Sequence, residues 1–269
     1  MEFTVNTSSA FVYTGGRPFD RELPVVVLIH GAGHDHSVWH YQARHLAHHG
    51  FSVLAPDLPG HGRSAGESLS TIEALADWVE ALLDAAGVMQ AALAGHSMGS
   101  LIALQTAAQA PSRITKLILL GSVAPMPVAA PLLDAARDNR TAAHTMINQW
   151  SYTPASQLGA SVTPGISLTG LNLRLMERQR EGLLANDLAA CNAYRNGLDA
   201  AARVRAPCVM LCGERDQMTP RRAVKPLHDA LADANRATRM IIIHGAGHAM
   251  MAEAPDAVSD AMRGFLKSE

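Results

Sequence analysis

Aromatic residues are scarce in this sequence, at only 4% of its 269 positions. Leu, Ile, Val, Met and Ala must therefore fill the interior, and the length suits one large domain or a domain with an insertion. Charge is also low and balanced, because the formal net charge is −2 and no cluster of Lys and Arg suits a phosphate backbone. We therefore expect a small-molecule substrate and no nucleic-acid partner.

The chain is also short of cysteine and of long apolar runs. It does not open with a basic segment followed by an apolar one, and no stretch approaches the ~18 uninterrupted apolar residues of a membrane span. Its three cysteines make no disulfide framework. Cys208 and Cys212 fall in one predicted strand, where their backbones would lie ~13 Å apart, beyond disulfide reach. We expect a cytoplasmic protein with reduced thiols and no membrane contact.

Six short apolar runs bounded by Gly or Asp are spread along the chain. They are LPVVVLIHG, FSVLAPD, AALAGHS, TKLILLGS, PCVMLCGE and TRMIIIHG. Such runs indicate strands that are buried on both faces, and helical patterns lie between them. Ser70 and Glu73 fit a capping box at the start of one of these helices. The alternation predicts an α/β fold with a mostly parallel central sheet and helices on both faces.

One long segment interrupts this alternation, because no strand is predicted between the fourth run and Pro207. The segment has helical patterns, and residues 146–173 within it contain no charged residue and no histidine. We expect residues 124–205 to form a helical cap insertion over one end of the sheet, with residues 1–123 and 206–269 forming the core. The alternative is a second independent domain, although the segment is short of residues for a core of its own.

The third apolar run ends in a G-x-S-x-G pattern, with Ser97 at its centre. The pattern alone is weak, but a strand precedes it and a helix over residues 98–110 is predicted after it. At a sharp strand-to-helix turn the serine backbone is strained, and side chains at Gly95 or Gly99 would collide with the turn. Such a turn exposes the Ser97 hydroxyl at a helix N-terminus, whose dipole favours developing negative charge. Ser97 is the predicted nucleophile.

A serine nucleophile needs a base, and the base needs an orienting carboxylate. Asp216 and His248 each follow a predicted strand, and the chain order Ser97, Asp216, His248 is the one expected for this architecture. His244 is the rival base, but its place at the end of an apolar run favours a buried structural role. Glu214 is the rival acid, and its place nearer the strand favours local capping or pairing.

These motifs resemble those of the α/β-hydrolase superfamily. The matching pieces are HGAGHDHSVW, DLPGHGRS, GHSMGS, GERDQMTP and GAGHAMMAEAP, on both sides of the insertion, which matches the family's cap only in position. The resemblance implies the α/β-hydrolase fold and an oxyanion hole made by the backbone amides of Ala32 and Met98. The family sometimes has its acid after the sixth strand, but that loop, GSVAPMP, has no carboxylate here, which favours Asp216.

Residues 30–50 contain seven of the thirteen histidines. His34, His36 and His40 have plausible metal-ligand spacing, yet no second cluster of Cys, Asp or Glu accompanies them. We interpret the segment as the oxyanion loop, with His34 as a candidate substrate contact, and expect no bound metal. His96, beside the nucleophile, is interpreted as a packing residue under the turn, and Asp57 and Arg63 as residues that hold the backbone of the DLPGHGRS turn.

The sequence therefore predicts a serine hydrolase that cleaves a carboxylic ester or lactone through an acyl-enzyme on Ser97, without metal or organic cofactor. Hydrolysis of a carbon–carbon bond in a diketone and acyl transfer to an acceptor other than water are alternatives that use the same triad. A further alternative is a small-molecule receptor that retains the triad. The oligomeric state is not predicted.

The uncharged segment 146–173 and the methionines beside the catalytic residues favour a small, mainly neutral substrate, because a buried ionic group is costly unless it is paired. Four cap arginines are expected on solvated helix faces: Arg137, Arg140, Arg174 and Arg178.

Overall fold

The computed structural model describes residues 1–268 and is built on an eight-stranded sheet in the order β1-β2-β4-β3-β5-β6-β7-β8. The strands are β1 Glu2–Val5, β2 Ser8–Tyr13, β3 Val25–Ile29, β4 Ser52–Pro56, β5 Ala91–His96, β6 Ile114–Leu120, β7 Cys208–Gly213 and β8 Arg239–Ile243. Strands β3 to β8 are the six apolar runs, and all pairings among these six strands are parallel. The predicted mostly parallel sheet is confirmed.

Strands β1 and β2 form a hairpin at the sheet edge that the sequence analysis did not predict. They are antiparallel to each other, and β2 pairs with β4, also antiparallel. Asn6 and Thr7 make the turn, with φ values of 45° and 73°. Positive φ at both central residues is typical of a two-residue hairpin loop. Strand β1 is largely exposed, so neither strand needed the continuous apolar run that marks the buried strands.

Twelve helices are present in residues 1–268, and they surround the sheet. They are α1 His40–Ala47, α2 Ile72–Ala85, α3 Met98–Gln109, α4 Ala130–Asp138, α5 Arg140–Ser151, α6 Pro154–Gln157, α7 Leu168–Glu177, α8 Leu183–Ala193, α9 Gly197–Ala201, α10 Arg221–Ala234, α11 Met250–Glu253 and α12 Pro255–Lys267. The part of the chain that the structure describes has no helix both long and apolar enough to cross a bilayer.

The start of α2 differs from the predicted capping box. The side chain of Thr71, not Ser70, accepts the hydrogen bond from the Ala74 amide, at 3.1 Å. The helix begins one residue later than predicted, so Glu73 occupies its second position, not the third from which it could reach back to the cap.

Each face of the sheet packs against its own set of helices. Val27 and Leu93 belong to one buried cluster with residues of α2 and α3, while Val26 and Leu28 belong to another with residues of α1 and α12. Neighbouring residues of a strand point to opposite faces, which is why continuous apolar runs are needed here. Both faces of the sheet are therefore covered by helices.

Helices α4 to α9 all lie between β6 and β7, in the segment interpreted as the cap. Leu132, Ile147, Met176, Leu184 and Leu188 are among the residues of a separate small apolar cluster in this segment. Its last helix, α9, packs instead against α3 and α10 beside the sheet. The division of the chain at residues 123/124 and 205/206 stays a prediction.

Candidate active site

Ser97 occupies the turn between β5 and α3, with φ 52° and ψ −120°. A positive φ is strained for a residue with a side chain, and here the surroundings enforce it. A Cβ on Gly95 would collide with the carbonyl of Gly99, and a Cβ on Gly99 would collide with the carbonyls of Ile29 and His30. The expected strained turn, and the reason for its two glycines, are both found.

Asp216 and His248 lie side by side in the loops after β7 and β8. Nδ1 of His248 is 2.8 Å from Oδ2 of Asp216. His248 is only 3% exposed and Asp216 only 7%. Asp216 also accepts hydrogen bonds from the amides of Met218 and Thr219 and from the Thr219 hydroxyl, at 2.9, 2.8 and 2.6 Å. Thr219 was not among the predicted site residues, although a threonine three residues after an aspartate is a common turn partner.

These contacts set the ionisation of the carboxyl group. Burial alone would raise the pKa of Asp216, but the interaction with His248 and the hydrogen bonds from His248 and Thr219 outweigh burial. They hold the pKa of Asp216 well below its usual range, so the group is a carboxylate at neutral pH. It can therefore hold Nδ1–H of His248 and stabilise a positive charge on that ring.

The second ring nitrogen of His248 is available to a substrate. Nε2 is buried and makes no hydrogen bond with any of residues 1–268, Ser97 included. His248 and Ser97 both line one cavity of about 720 Å³. The arrangement brings a serine, a histidine and a carboxylate together at the carboxyl ends of β5, β7 and β8, with Ser97 and His248 lining the same cavity.

Ala32 and Met98, the predicted oxyanion donors, lie beside Ser97. Ala32 follows β3 and lines the cavity, and Met98 is the first residue of α3. The two loops approach closely, since a Cβ on Gly31 would lie 3.3 Å from that of Ser97. Neither backbone amide donates a hydrogen bond to another residue in the described chain. Both N–H groups are thus free for an acceptor near Ser97.

The wall of the cavity is mostly apolar, and seven of its lining residues come from the uncharged stretch. From residues 146–173 the lining side chains are Ile147, Ser151, Tyr152, Ile166, Leu168, Leu171 and Asn172. Met218 and Met251 also line it, whereas Met98 and Met250 are fully buried. Only two of the four methionines that adjoin the catalytic residues therefore face the cavity.

Two of the four cap arginines line the cavity and are still solvated as predicted, because the side chains of Arg174 and Arg178 are 79% and 56% exposed. Arg174 and Arg178 both contribute to its lining, yet each already has an acidic partner. Arg174 pairs with Glu177 at 2.5 Å, and Arg178 pairs with the buried Asp35 at 2.6 Å. Their charges are compensated within the protein.

The three histidines with metal-ligand spacing do not converge. His34 lines the cavity and its Nε2 lies 2.8 Å from Oδ1 of Asn172, His36 Nδ1 is 2.7 Å from Asp57, and His40 is exposed. In residues 1–268 a different set of side chains could hold a metal ion, because its ligand atoms lie within 4.8 Å of one another: Asp35, His36 and Asp57. Its oxygens already accept from protein donors, including Arg178 on Asp35 and the amides of His36 and Arg63 on Asp57.

The expected turn role of Asp57 is confirmed, but Arg63 differs in detail. Its backbone amide donates to Asp57 Oδ2 at 2.9 Å, while its guanidinium lies over the ring of Phe11 at 3.7 Å from the centroid. The side chain therefore makes a cation–π contact and does not hold the turn.

The rival base and acid lie away from the cavity. His244 is highly exposed, so the predicted buried role is wrong: β8 ends at Ile243, and His244 begins the turn into solvent. Glu214 accepts from the amide of Gly245 at 2.9 Å and pairs with His244 at 3.3 Å. Its expected local pairing is confirmed.

His96 has more contacts than a packing residue needs. Its Nε2 donates to the carbonyl oxygen of His248 at 2.9 Å, and the two rings are 4.7 Å apart. Burial, and then the nearby His248, hold the pKa of His96 well below its usual value, so the ring is neutral. It ties the nucleophile turn to the loop of the base, a contact between distant segments that no local pattern signals.

Comparison with known proteins supports the same class. Residues 26–261 match the model of the Alpha/beta hydrolase family, so the chain belongs to this family and is an α/β-fold hydrolase. It is 30% identical over 266 residues to a pimeloyl-acyl-carrier-protein methyl ester esterase of Neisseria meningitidis, covering 90% of this chain and 76% of the relative.

Two further similarities were found. A dihydrolipoyllysine-residue acetyltransferase component of an acetoin cleaving system, from Pseudomonas putida, is 30% identical over 247 residues; the match covers 90% of this chain but only 63% of that relative. An enol-lactonase from Burkholderia xenovorans LB400 superposes with a TM-score of 0.86 at 22% identity, covering all of both chains. This last likeness shows a shared fold.

Proposed function

We propose that this enzyme hydrolyses a carboxylic ester or lactone of a small, mainly neutral molecule through an acyl-enzyme on Ser97. One observation carries the proposal: the buried Asp216–His248 pair leaves Nε2 without a hydrogen-bond partner, and His248 lines the same cavity as Ser97. Nucleophile, base and orienting carboxylate are the parts that acyl transfer through a serine requires.

In the proposed reaction, Ser97 Oγ attacks the acyl carbon while Nε2 of His248 takes the hydroxyl proton. The amides of Ala32 and Met98 bind the oxyanion of the tetrahedral intermediate, and Asp216 stabilises the imidazolium. Collapse of the intermediate breaks the bond to the alcohol, which leaves with the proton from His248. Water, deprotonated by His248, then attacks the acyl-enzyme and releases the acid and free Ser97.

The cavity and the relatives support this substrate class. A mostly apolar wall favours a substrate that is neutral around the scissile bond, since the two arginines of the lining are already paired. We further propose that residues 124–205 act as the cap that supplies this wall. The Neisseria relative is named as a methyl ester esterase and the Burkholderia neighbour as an enol-lactonase, both consistent with ester chemistry.

Acyl transfer to an acceptor other than water is the second candidate, because the Pseudomonas relative is named as an acetyltransferase component. Transfer and hydrolysis share the acyl-enzyme and differ in what attacks it. Product analysis with and without an added thiol or alcohol acceptor separates them. A receptor that only retains the triad would show no sustained turnover.

The test uses the whole chain with nitrophenyl esters of graded acyl length and with simple lactones. We expect multiple turnovers, release of alcohol and acid, and an intact-mass increase on incubation with a fluorophosphonate. Release of a ketone from a diketone, without ester hydrolysis, would favour carbon–carbon cleavage instead. Absence of both turnover and a phosphonyl adduct would refute a serine hydrolase.

A further inference from the structure

Asp187 is a buried carboxylate of helix α8 that joins three separate parts of the chain. It is 1% exposed, and its Oδ2 accepts a hydrogen bond from the amide of Gly33 at 2.8 Å. The same oxygen lies 2.8 Å from Nε2 of His61, which is also 1% exposed and belongs to the DLPGHGRS turn. One carboxylate oxygen thus connects α8, the oxyanion loop and this turn.

Hydrogen-bond chemistry fixes the charge of the pair. His61 Nδ1 lies 3.0 Å from the carbonyl oxygen of Pro59, which can only accept, so Nδ1 carries a proton. Nε2 faces a carboxylate, so it carries the second proton. Burial alone would lower the pKa of His61, but the charge of Asp187 and the hydrogen bond to it raise that pKa above its usual value. The geometry and this direction both favour an imidazolium at His61, which pairs with Asp187 without net charge.

The contact acts on the loop that carries the proposed oxyanion donor. Gly33 directly follows Ala32 and has φ 65°, a conformation that a side chain would strain. A Cβ on Gly33 would lie 2.9 Å from Cδ1 of Leu184, which is three residues before Asp187 on α8. Helix α8 therefore packs against Gly33, and its Asp187 accepts a hydrogen bond from the Gly33 amide.

Neutralisation of the carboxylate matters for catalysis as well as for stability. A bare negative charge behind the loop would oppose the oxyanion that develops at the Ala32 amide, because charges interact strongly inside a protein. With His61 protonated, the pair holds the loop without adding net charge beside it.

We propose that Asp187 is a positioning residue that fixes the orientation of the Ala32 amide through its hydrogen bond with the Gly33 amide. Stabilisation of the oxyanion therefore depends on the placement of helix α8. This inference rests on the proposed esterase chemistry. Asp187 touches no reacting atom in this scheme, since its effect passes through the loop backbone.

The test is Asp187→Asn, which keeps the side-chain volume. The neutral amide oxygen accepts more weakly from Gly33 and from a protonated His61 than the carboxylate oxygen does, and the NH2 group takes the place of Oδ1, which is buried without a partner. The loop therefore loses part of its hold. We expect kcat on a nitrophenyl ester to fall by about tenfold to a hundredfold with KM changed by less than about threefold, the size of effect that a misplaced donor produces.

A second measurement separates loop placement from general damage. A trifluoromethyl ketone forms a tetrahedral adduct with Ser97 and places an oxyanion in the hole, with the hydroxyl proton moving to His248. Its affinity should fall by the same factor as kcat/KM, while the affinity for the alcohol product stays unchanged. Equal weakening of both ligands, or wild-type kcat, would overturn the inference.

Asn186→Ala is the matched control on the same helix. Asn186 donates to the carbonyl of Leu69 at 2.9 Å, so the change removes a contact of α8 that does not involve the oxyanion loop. It should lower the unfolding midpoint slightly and leave kcat within about twofold. A loss of kcat as large as that of Asp187→Asn would mean that the placement of α8 in general, not this contact, is what matters.

If Asp187→Asn does not fold, two substitutions at His61 test the role of Asp187 instead. His61→Gln retains an N–H donor for Asp187, whereas His61→Ala retains none. We expect the glutamine variant to recover much of the trifluoromethyl ketone affinity that the alanine variant loses, and equal losses would overturn the inference. Failure of the wild-type protein to hydrolyse any ester or to form the ketone adduct would instead refute the proposed function.

Discussion

Nδ1 of His248 donates to Oδ2 of Asp216 across 2.8 Å, and this contact fixes the tautomer of the neutral ring. Asp216 cannot turn away, because two backbone amides hold its other oxygen. The neutral ring therefore carries its proton on Nδ1, which leaves the lone pair on Nε2, an atom without a hydrogen-bond partner in residues 1–268. A base at neutral pH needs this tautomer, and the fold supplies it before any substrate arrives.

Ser97→Ala should abolish turnover and leave the fold intact. The hydroxyl is the only nucleophile in the proposed reaction, and loss of a triad member typically costs ~10⁴-fold or more in rate. Replacing serine with alanine keeps a side chain at the strained turn, so the unfolding midpoint should change little. Initial rates on a nitrophenyl ester and thermal unfolding check both parts. Retention of a tenth of the wild-type rate in the folded variant would disprove the mechanism.

Asp216→Asn should lower kcat by about 10⁴-fold, because an amide at this position favours the wrong imidazole tautomer. Glu214→Gln is the matched control, since Glu214 holds only the exposed His244 turn. It should leave kcat/KM unchanged within error. If the glutamine variant proved the more damaged of the two, the assignment of the acid would be reversed.

The parts of this site that sequence predicts are those set by local geometry. Ser97 lies between two glycines after an apolar run, and the steric reason for those glycines is visible in the letters alone. Asp216 and His248 each follow a buried strand, and parallel strands bring their carboxyl ends to one edge of the sheet. A prediction of the triad therefore needs only the order of strands and loops.

Contacts between distant segments are what the sequence does not reveal. Asp187 meets Gly33 across 154 positions, and no spacing rule connects them. The same holds for His96 and the carbonyl of His248. His244 was misplaced for another reason: an apolar run shows that a strand exists but does not show the residue at which it turns into solvent.

His30 should make the stability of the protein depend on pH. It is fully buried; its Nδ1 lies 2.9 Å from the carbonyl oxygen of Gly31, and its Nε2 accepts from the Leu58 amide, so only the neutral ring fits. Burial, and then the nearby His61, lower the pKa of His30 from 6.5 to about 4. As the pH falls from 6.5 to about 4, His30 becomes protonated in the unfolded chain before it does in the folded protein. The free energy of unfolding therefore decreases over this range.

The measurement compares urea unfolding at pH 7 and pH 5 for the wild type and His30→Gln. Glutamine can still accept from Leu58 but does not titrate, so its loss of stability over this interval should be smaller by about 2 kcal/mol. Other buried histidines titrate in both proteins and cancel in the difference. Equal losses in the two proteins would show that His30 is not the group responsible.

Activity should survive exhaustive dialysis against a chelator. In the proposed reaction backbone amides stabilise the oxyanion and His248 is the base, so no step requires a metal ion. The candidate oxygens of Asp35 and Asp57 already accept hydrogen bonds from Arg178 and from backbone amides. The assay is the ester hydrolysis rate before and after dialysis. Loss of activity that zinc or manganese restores would support a metal at Asp35, His36 and Asp57.

Neutral esters should be better substrates than esters of similar size with a carboxylate on the acyl chain. The cavity wall is mostly apolar, and a buried ionic group is costly unless it is paired. Arg178 is the strongest candidate partner, but it already pairs with Asp35. Burial raises the pKa of Asp35, yet hydrogen bonds from Ser37 and Arg178 outweigh burial and lower it to about 2, so the pair is ionised at neutral pH.

A matched panel of neutral and anionic esters, compared by kcat/KM, tests this expectation. We expect about tenfold or more in favour of the neutral members, since even a partly solvated carboxylate costs more than about 1.4 kcal/mol to bury unpaired. Arg178→Met and Arg174→Met should leave this preference in place, because neither arginine is free to bind the anion. A preference for the anionic esters that disappears in either variant would show that the arginine leaves its acidic partner for the substrate.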